Sequence, residues 1–165
     1  MMHSAYPGYP QYPPCPPAYP PYSPCPGPVI PPGLTDYGPH PFVINIEQAT
    51  LDNPAYRIAL WTGEYLQLTL MSIAVGDEIG LELHEDHDQF IRIEEGQGII
   101  RMGDSPDALT YQAGVADDYA VFIPAGKWHN LLNIGSKPLK LYSIYAPPEH
   151  PRGTVHPTRR DAEGY

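Results

Sequence analysis

Apolar and polar residues alternate in short runs through the middle and end of this chain. From residue 57 onward, stretches of four to eight residues rich in β-branched and aromatic side chains recur between clusters of Gly, Pro and Asp. They fall at 57–61, 66–73, 79–84, 89–94, 98–102, 109–112, 119–123, 129–133 and 139–145, and each predicts a β-strand. Upstream, 42–46 reads as a short strand and 47–53 as a turn of helix or a loop ending before Pro54. In 89–94 the two-residue period puts Gln89, Ile91 and Ile93 on one face and Phe90, Arg92 and Glu94 on the other. Phe90 makes that second face partly apolar, so it is expected to pack on another layer or on a second subunit. Short strands at this spacing, with no helical period between them, point to an antiparallel sandwich or barrel.

Composition divides the chain. Residues 1–41 hold 15 of the 23 prolines, six of the 13 tyrosines and both cysteines, with Asp36 as their only charged side chain. Proline fixes φ and removes donors, so polyproline II or coil is expected there, and too little apolar surface is available to offset ordering. The leader, with Tyr-Pro recurring at Tyr6, Tyr9, Tyr12 and Tyr19, resembles Tyr/Pro-rich segments of bacterial spore-coat and other surface-layer proteins. That likeness implies self-assembly through the leader, with Cys15 and Cys25 either exposed thiols or intermolecular disulfides. Structure is expected over 42–148, followed by an irregular surface tail, 149–165, with the folding back of its His150 and His156 over the barrel mouth as the alternative.

Charge narrows the partners. The whole chain carries a formal net charge of −10, and all nine Lys and Arg lie outside the leader. Such acidity disfavours nucleic acid and anionic membranes, which reward clustered cations. No run approaches the ~20 apolar residues of a membrane helix, and the N-terminus lacks the features of a secretory signal. A cytoplasmic location is therefore the expectation, with a spore coat or other surface layer as the alternative. GxSxG, P-loop, GxGxxG and HExxH patterns are all missing, so acyl transfer and nucleotide chemistry have no support.

The chemistry concentrates in two segments. The first, 76–96, spaces Gly76, Glu82, His84, Gln89 and Gly96; the second, 124–133, spaces Pro124, Gly126, His129 and Asn133. Glu82 and His84 are two apart and would face the same way on a strand, while Gln89 opens the next strand and His129 follows a Pro-Ala-Gly turn. Together they form a candidate metal-ligand set of Glu82, His84, Gln89 and His129. His87 and Asp88 read as solvated turn residues, with Asp88 a reserve ligand if the register slips by one. Glycines 76, 96, 98 and 126 read as turn formers or close-packing positions. Trp61, Tyr65, Phe122 and Trp128 read as barrel core, with pocket lining as the alternative.

These two segments resemble the paired motifs of the cupin superfamily, G-x5-H-x-H-x3-4-E-x6-G and G-x5-P-x-G-x2-H-x3-N, over about residues 66–146. Glu82 stands where the family usually has His, Gln89 where it has Glu, and Asp118 where the second motif opens with Gly. The first two departures compensate, keeping a ligand charge of −1. The resemblance implies a double-stranded β-helix, a jelly-roll barrel, holding one divalent ion of a kind (Zn, Fe, Mn, Ni or Cu) that sequence does not choose, beside a small-molecule pocket. Two His and a carboxylate match the non-haem iron triad, with Gln89 as a fourth ligand or a hydrogen-bonding neighbour. The Gln, Glu and two His also resemble the zinc site of cupin phosphomannose isomerases. Sugar or sugar-phosphate isomerisation and iron-dependent dioxygenation are thus the implied activities, and a structural coat role for the barrel is the alternative. A phosphorylated substrate would want inward cations, for which Arg57 and Lys127 are the candidates. Homodimerisation through an exposed sheet face is also implied.

Overall fold

The computed structural model describes residues 35–163. The leader's expected disorder, its assembly role and both cysteines lie outside the described residues. Within them, α1 (Ile46–Asp52) precedes eight main strands: β1 (Arg57–Thr62), β2 (Gln67–Ile73), β3 (Asp88–Glu95), β4 (Gly98–Gly103), β5 (Tyr111–Val115), β6 (Ala120–Ile123), β7 (Trp128–Asn133) and β8 (Leu139–Ala146). Two short elements follow, β9 (Val155–His156) and α2 (Arg159–Ala162). The strands form a six-stranded sheet, ordered β6-β3-β8-β2-β1-β9, and a three-stranded sheet, ordered β5-β4-β7, each antiparallel. This is the expected all-β jelly roll.

Register explains where the core ends and polar chemistry begins. Tyr145 on β8 pairs with Gln67 on β2 and Gln89 on β3, giving a buried polar row. Two residues along, Ser143 pairs with Thr69 and Ile91; two further, Leu141 pairs with Met71 and Ile93, and the row is wholly apolar. In the facing sheet His129 precedes Leu131 by the same two-residue step. Ile91, Ile93, Ile100, Leu131, Leu139 and Leu141 make the centre of the main core. At about 25 cal/mol per Å² of apolar surface removed from water, this cluster is the main source of stability. The alternation predicted for 89–94 is observed, with Gln89, Ile91 and Ile93 inward.

The structure corrects several local expectations. Residues 42–45 are not a strand: Asn45 takes the N-cap position, its side chain accepting from the Gln48 N–H at 3.1 Å, and α1 starts at Ile46. The helix covers Ile58, Leu60 and Leu70 on the outer face of the large sheet. Residues 79–84 are not a continuous strand either. Gly80 has φ +98°, which breaks the pleat, and only Glu78 and Glu82 form bridges, to Leu132 and His129. The ordered chain begins before residue 42: Asp36 accepts from the backbone of Gly38, Thr62 and Gly153 and from the Thr62 hydroxyl.

The tail is likewise not irregular. β9 pairs with β1, Gln67 exchanges two hydrogen bonds with the His150 backbone, and Arg159 pairs with Asp77 and Glu78. The aromatic residues read as core are not in it. Tyr65 and Phe122 are exposed, Trp128 is half-buried, and Trp61 lines an outer apolar hollow while donating to the His40 carbonyl.

Candidate metal centre

Two backbone features bring the ligand candidates together. Glu82 and His129 are partners in an antiparallel bridge, exchanging both N–H to carbonyl hydrogen bonds at 2.9 Å, so their side chains emerge side by side. The turn at 124–127 closes through Gly126, at φ +76°, whose N–H donates to the His84 carbonyl at 2.7 Å. His84 is thereby fixed to the start of the strand that carries His129. Asp118, which replaces the family's glycine, adopts φ +72° and so takes the backbone conformation that glycine would.

The result is a cluster in which ligand atoms of Glu82, His84 and His129 lie within 4.8 Å of one another. Glu82 Oε2 is 3.9 Å from His84 Nε2 and 3.8 Å from His129 Nε2. All three atoms are buried and have no hydrogen-bond partner. An unsatisfied buried polar atom costs roughly 1–3 kcal/mol, so three converging on one point call for an occupant. His129 Nδ1 faces the Lys127 carbonyl at 3.0 Å. A carbonyl only accepts, so Nδ1 carries the proton and Nε2 presents a lone pair to the cluster. Burial, reinforced by the His129, His87 and Arg57 neighbours, pushes the His84 imidazole down to about 4, which keeps it neutral. An ion bonded at ~2.1 Å sets its ligand atoms roughly 3.0–3.5 Å apart, so the two Glu82 contacts would close by a few tenths of an ångström around one.

Around this set stand Arg57 and Gln89, both named in the sequence reading, and Tyr145, which that reading did not place. Arg57, almost fully buried on β1, donates from Nη2 to Glu82 Oε1 at 2.9 Å, leaving Oε2 for the cluster. Tyr145 stands edge-on to His84, ring centroids 5.6 Å apart, and burial pushes its phenol up to about 12. The Gln89 amide donates to Ser143 Oγ at 2.9 Å and to the Tyr145 hydroxyl at 3.1 Å, while its Oε1 is buried without a partner. Gln89 is thus a hydrogen-bonding neighbour tied to the cluster through Tyr145.

His87 is not a solvated turn residue: it is buried, stacked on His84 at 4.8 Å. Asp88 is no reserve ligand, because its carboxylate accepts from the Ala125 N–H at 2.8 Å and holds the 124–127 turn. Lys127 points away, pairing with Asp104 on the surface. Arg57, Glu149, His150, Arg152 and His156 line an adjoining cavity of about 580 Å³. Burial pushes His150 down to about 3 and raises the Glu149 carboxyl. In the sequence, His150 and His156 were the tail residues able to fold back over the barrel mouth, and Glu149 carried no signal of its own.

Residues 69–145 match the family model described as the cupin domain. The chain belongs to the cupin superfamily. This cupin is 60% identical over 129 residues to the uncharacterized protein YrkC of Bacillus subtilis (strain 168), covering 78% of this chain and 69% of that protein. It is 38% identical to a protein of Acanthamoeba polyphaga mimivirus, over 74% of this chain and 76% of the relative. Among solved structures, BH2720 from Bacillus halodurans superposes with a TM-score of 0.79 at 60% identity, covering 79% of this cupin and 99% of that chain.

Proposed function

We propose that this cupin holds a divalent metal ion on Glu82, His84 and His129 and binds a small, oxygen-rich anion in the adjoining cavity. The observation that carries the first half is the set of three buried, unpartnered ligand atoms converging from two bridged segments. When bound, such an ion polarises a carbonyl or hydroxyl oxygen as a Lewis acid.

The chain's own residues support the anion. Arg57 turns its Nη2 to Glu82, keeps a buried Nε–H without a partner, and lines the cavity. His150, whose Nε2 is likewise buried without a partner, and Arg152 line the same cavity. In a chain this acidic, two arginines lining one cavity mark where an anion is tolerated. Arg57 thus meets the requirement for an inward cation that a sugar phosphate or sugar acid imposes. Isomerisation of such a sugar is the activity we carry forward.

The test is calorimetry on chelator-stripped protein. The first equivalent of Zn²⁺ should bind, and His129→Ala should weaken that step a hundredfold or more; equal binding by the variant rejects the centre. The zinc-loaded protein is then titrated with glucose 6-phosphate, gluconate and glucose. Both anions should bind at least tenfold more tightly than glucose, and equal affinity for all three rejects the anion site. Turnover with Fe²⁺ and oxygen but not with Zn²⁺ would favour dioxygenation instead.

A further inference from the structure

His84 has two ring nitrogens, and the structure gives each of them a carboxylate and a second histidine. Nε2 faces Glu82 and His129, the set already described. On the other edge, Nδ1 lies 3.5 Å from Glu149 Oε1, while Glu149 Oε2 lies 3.4 Å from His87 Nε2. The ligand atoms of His84, His87 and Glu149 again fall within 4.8 Å of one another. We propose that this second set binds a second divalent ion, with the His84 ring bridging the two.

Three observations carry the proposal. The first is the state of His87. Its Nδ1 sits 2.8 Å from Asp86 Oδ1, an ordinary hydrogen bond in which the ring N–H donates to the carboxylate. Its Nε2 is buried and has no hydrogen-bond partner, although the side chain is only 3% exposed. With Nδ1 donating to Asp86, Nε2 is the atom turned to the Glu149 carboxylate, and a cation between them would take both as ligands. This repeats the arrangement at His129, where Nδ1–H is bound to a carbonyl and Nε2 faces a carboxylate.

The second observation is distance. Charge-assisted N–H to carboxylate hydrogen bonds run at about 2.7–2.9 Å. The two Glu149 contacts are longer, at 3.5 and 3.4 Å, and neither is a hydrogen bond. Each is near the roughly 3.4 Å separation of two ligand atoms bonded at ~2.1 Å to one ion, with the two imidazoles facing different oxygens of the same carboxylate.

The third is charge and position. Glu82, Glu149 and Asp86 surround the histidines, with Arg57 as the one guanidinium paired into the group. This excess of negative charge favours a further cation. Glu149 also lines the 580 Å³ cavity, so the second ion would adjoin the ligand cavity. Binding at Nδ1 displaces the remaining ring proton of His84 to solvent, one proton per second ion. The bridging ring then carries a single negative charge shared between two dications.

The inference rests on the primary centre, and its test separates the two. Tag-free protein is stripped with chelator, equilibrated with excess Zn²⁺, freed of loose metal and analysed by native mass spectrometry. The wild type should hold two ions, His87→Ala one, His129→Ala one and His84→Ala none. Glu149→Gln, which preserves shape, is the second variant and should also hold one. Saturation of the wild type at one ion, with His87→Ala and Glu149→Gln unchanged at one, overturns the second site and leaves the first intact. No ion in the wild type, or full occupancy in His129→Ala, overturns the primary centre itself. With two equivalents of Cu²⁺, an imidazolate bridge should quench most of the electron paramagnetic resonance signal, and His87→Ala should restore it. Two uncoupled copper signals in the wild type would refute the bridge.

Discussion

The two ends of the jelly-roll interior are made from the same strands yet obey opposite rules. At one end Met71, Leu141, Ile93 and Leu131 are buried and complete in themselves. Two to four residues along, Gln67, Tyr145, Gln89 and His129 are buried to the same degree, but Gln89 Oε1 and His129 Nε2 have no partner in the protein. The backbone ladder is continuous through both. The apolar end therefore supplies folding free energy, whereas the polar end carries buried atoms that the protein itself leaves unsatisfied.

This contrast predicts different responses to substitution, the largest at the apolar end. Leu141→Ala should lower the free energy of unfolding in urea by about 2–5 kcal/mol, with the zinc affinity of the folded protein unchanged. An equally large loss of zinc affinity would show that the two ends are not separable. Next is Arg57→Met, which leaves Glu82 facing the cluster without its guanidinium. Breaking a buried pair commonly costs about 3–5 kcal/mol, but Glu82 keeps 23% side-chain exposure, so about 2 kcal/mol is expected for metal-free protein. Zinc should restore most of that loss, because the ion takes over the charge.

A smaller effect comes from pH. His150 titrates near 3 in the folded chain against 6.5 ordinarily, because burial disfavours its charged form. Between those values the unfolded chain binds the extra proton, so stability is full above about pH 6.5 and falls as pH drops toward 3. His150→Gln should flatten that slope, by about 1–2 kcal/mol at pH 4, in denaturation curves of metal-free protein. The smallest stability change should come from Phe122→Ser on the outer face. Phe122 is 71% exposed, and the variant should stay within about 0.5 kcal/mol of wild type. Phe90, Phe122, Tyr142 and Ile144 make that face apolar, and we propose that the chain pairs through it. Sedimentation should then show a wild-type dimer and a monomeric variant; a monomeric wild type would remove the pairing.

The sequence made the ladder legible because register is written in alternation: Gln89, Ile91 and Ile93 face inward as the two-residue period requires. His84 and His129 were legible through motif spacing, and Glu82 through its distance of two from His84. Four things were hidden. Gly80's positive φ interrupts 79–84, a break that apolar content does not reveal. The role of Arg57 depends on β1 lying against the cluster, a matter of sheet order. Glu149 reaches His84 across 65 positions because β9 and Gln67 draw the tail back over the barrel, and two consecutive prolines suggested only that a strand ended. His87 looked like a solvated turn residue because the motif alignment puts it between two strands, whereas its ring is buried.

The most direct measurement is X-ray absorption at the zinc edge of protein loaded with a single equivalent of Zn²⁺. Two imidazole nitrogens and at least one carboxylate oxygen should appear at ~2.0–2.2 Å, and the imidazole scattering should fall by half in His129→Ala. A spectrum of oxygen neighbours alone, identical in wild type and variant, would contradict a metal centre built on Glu82, His84 and His129.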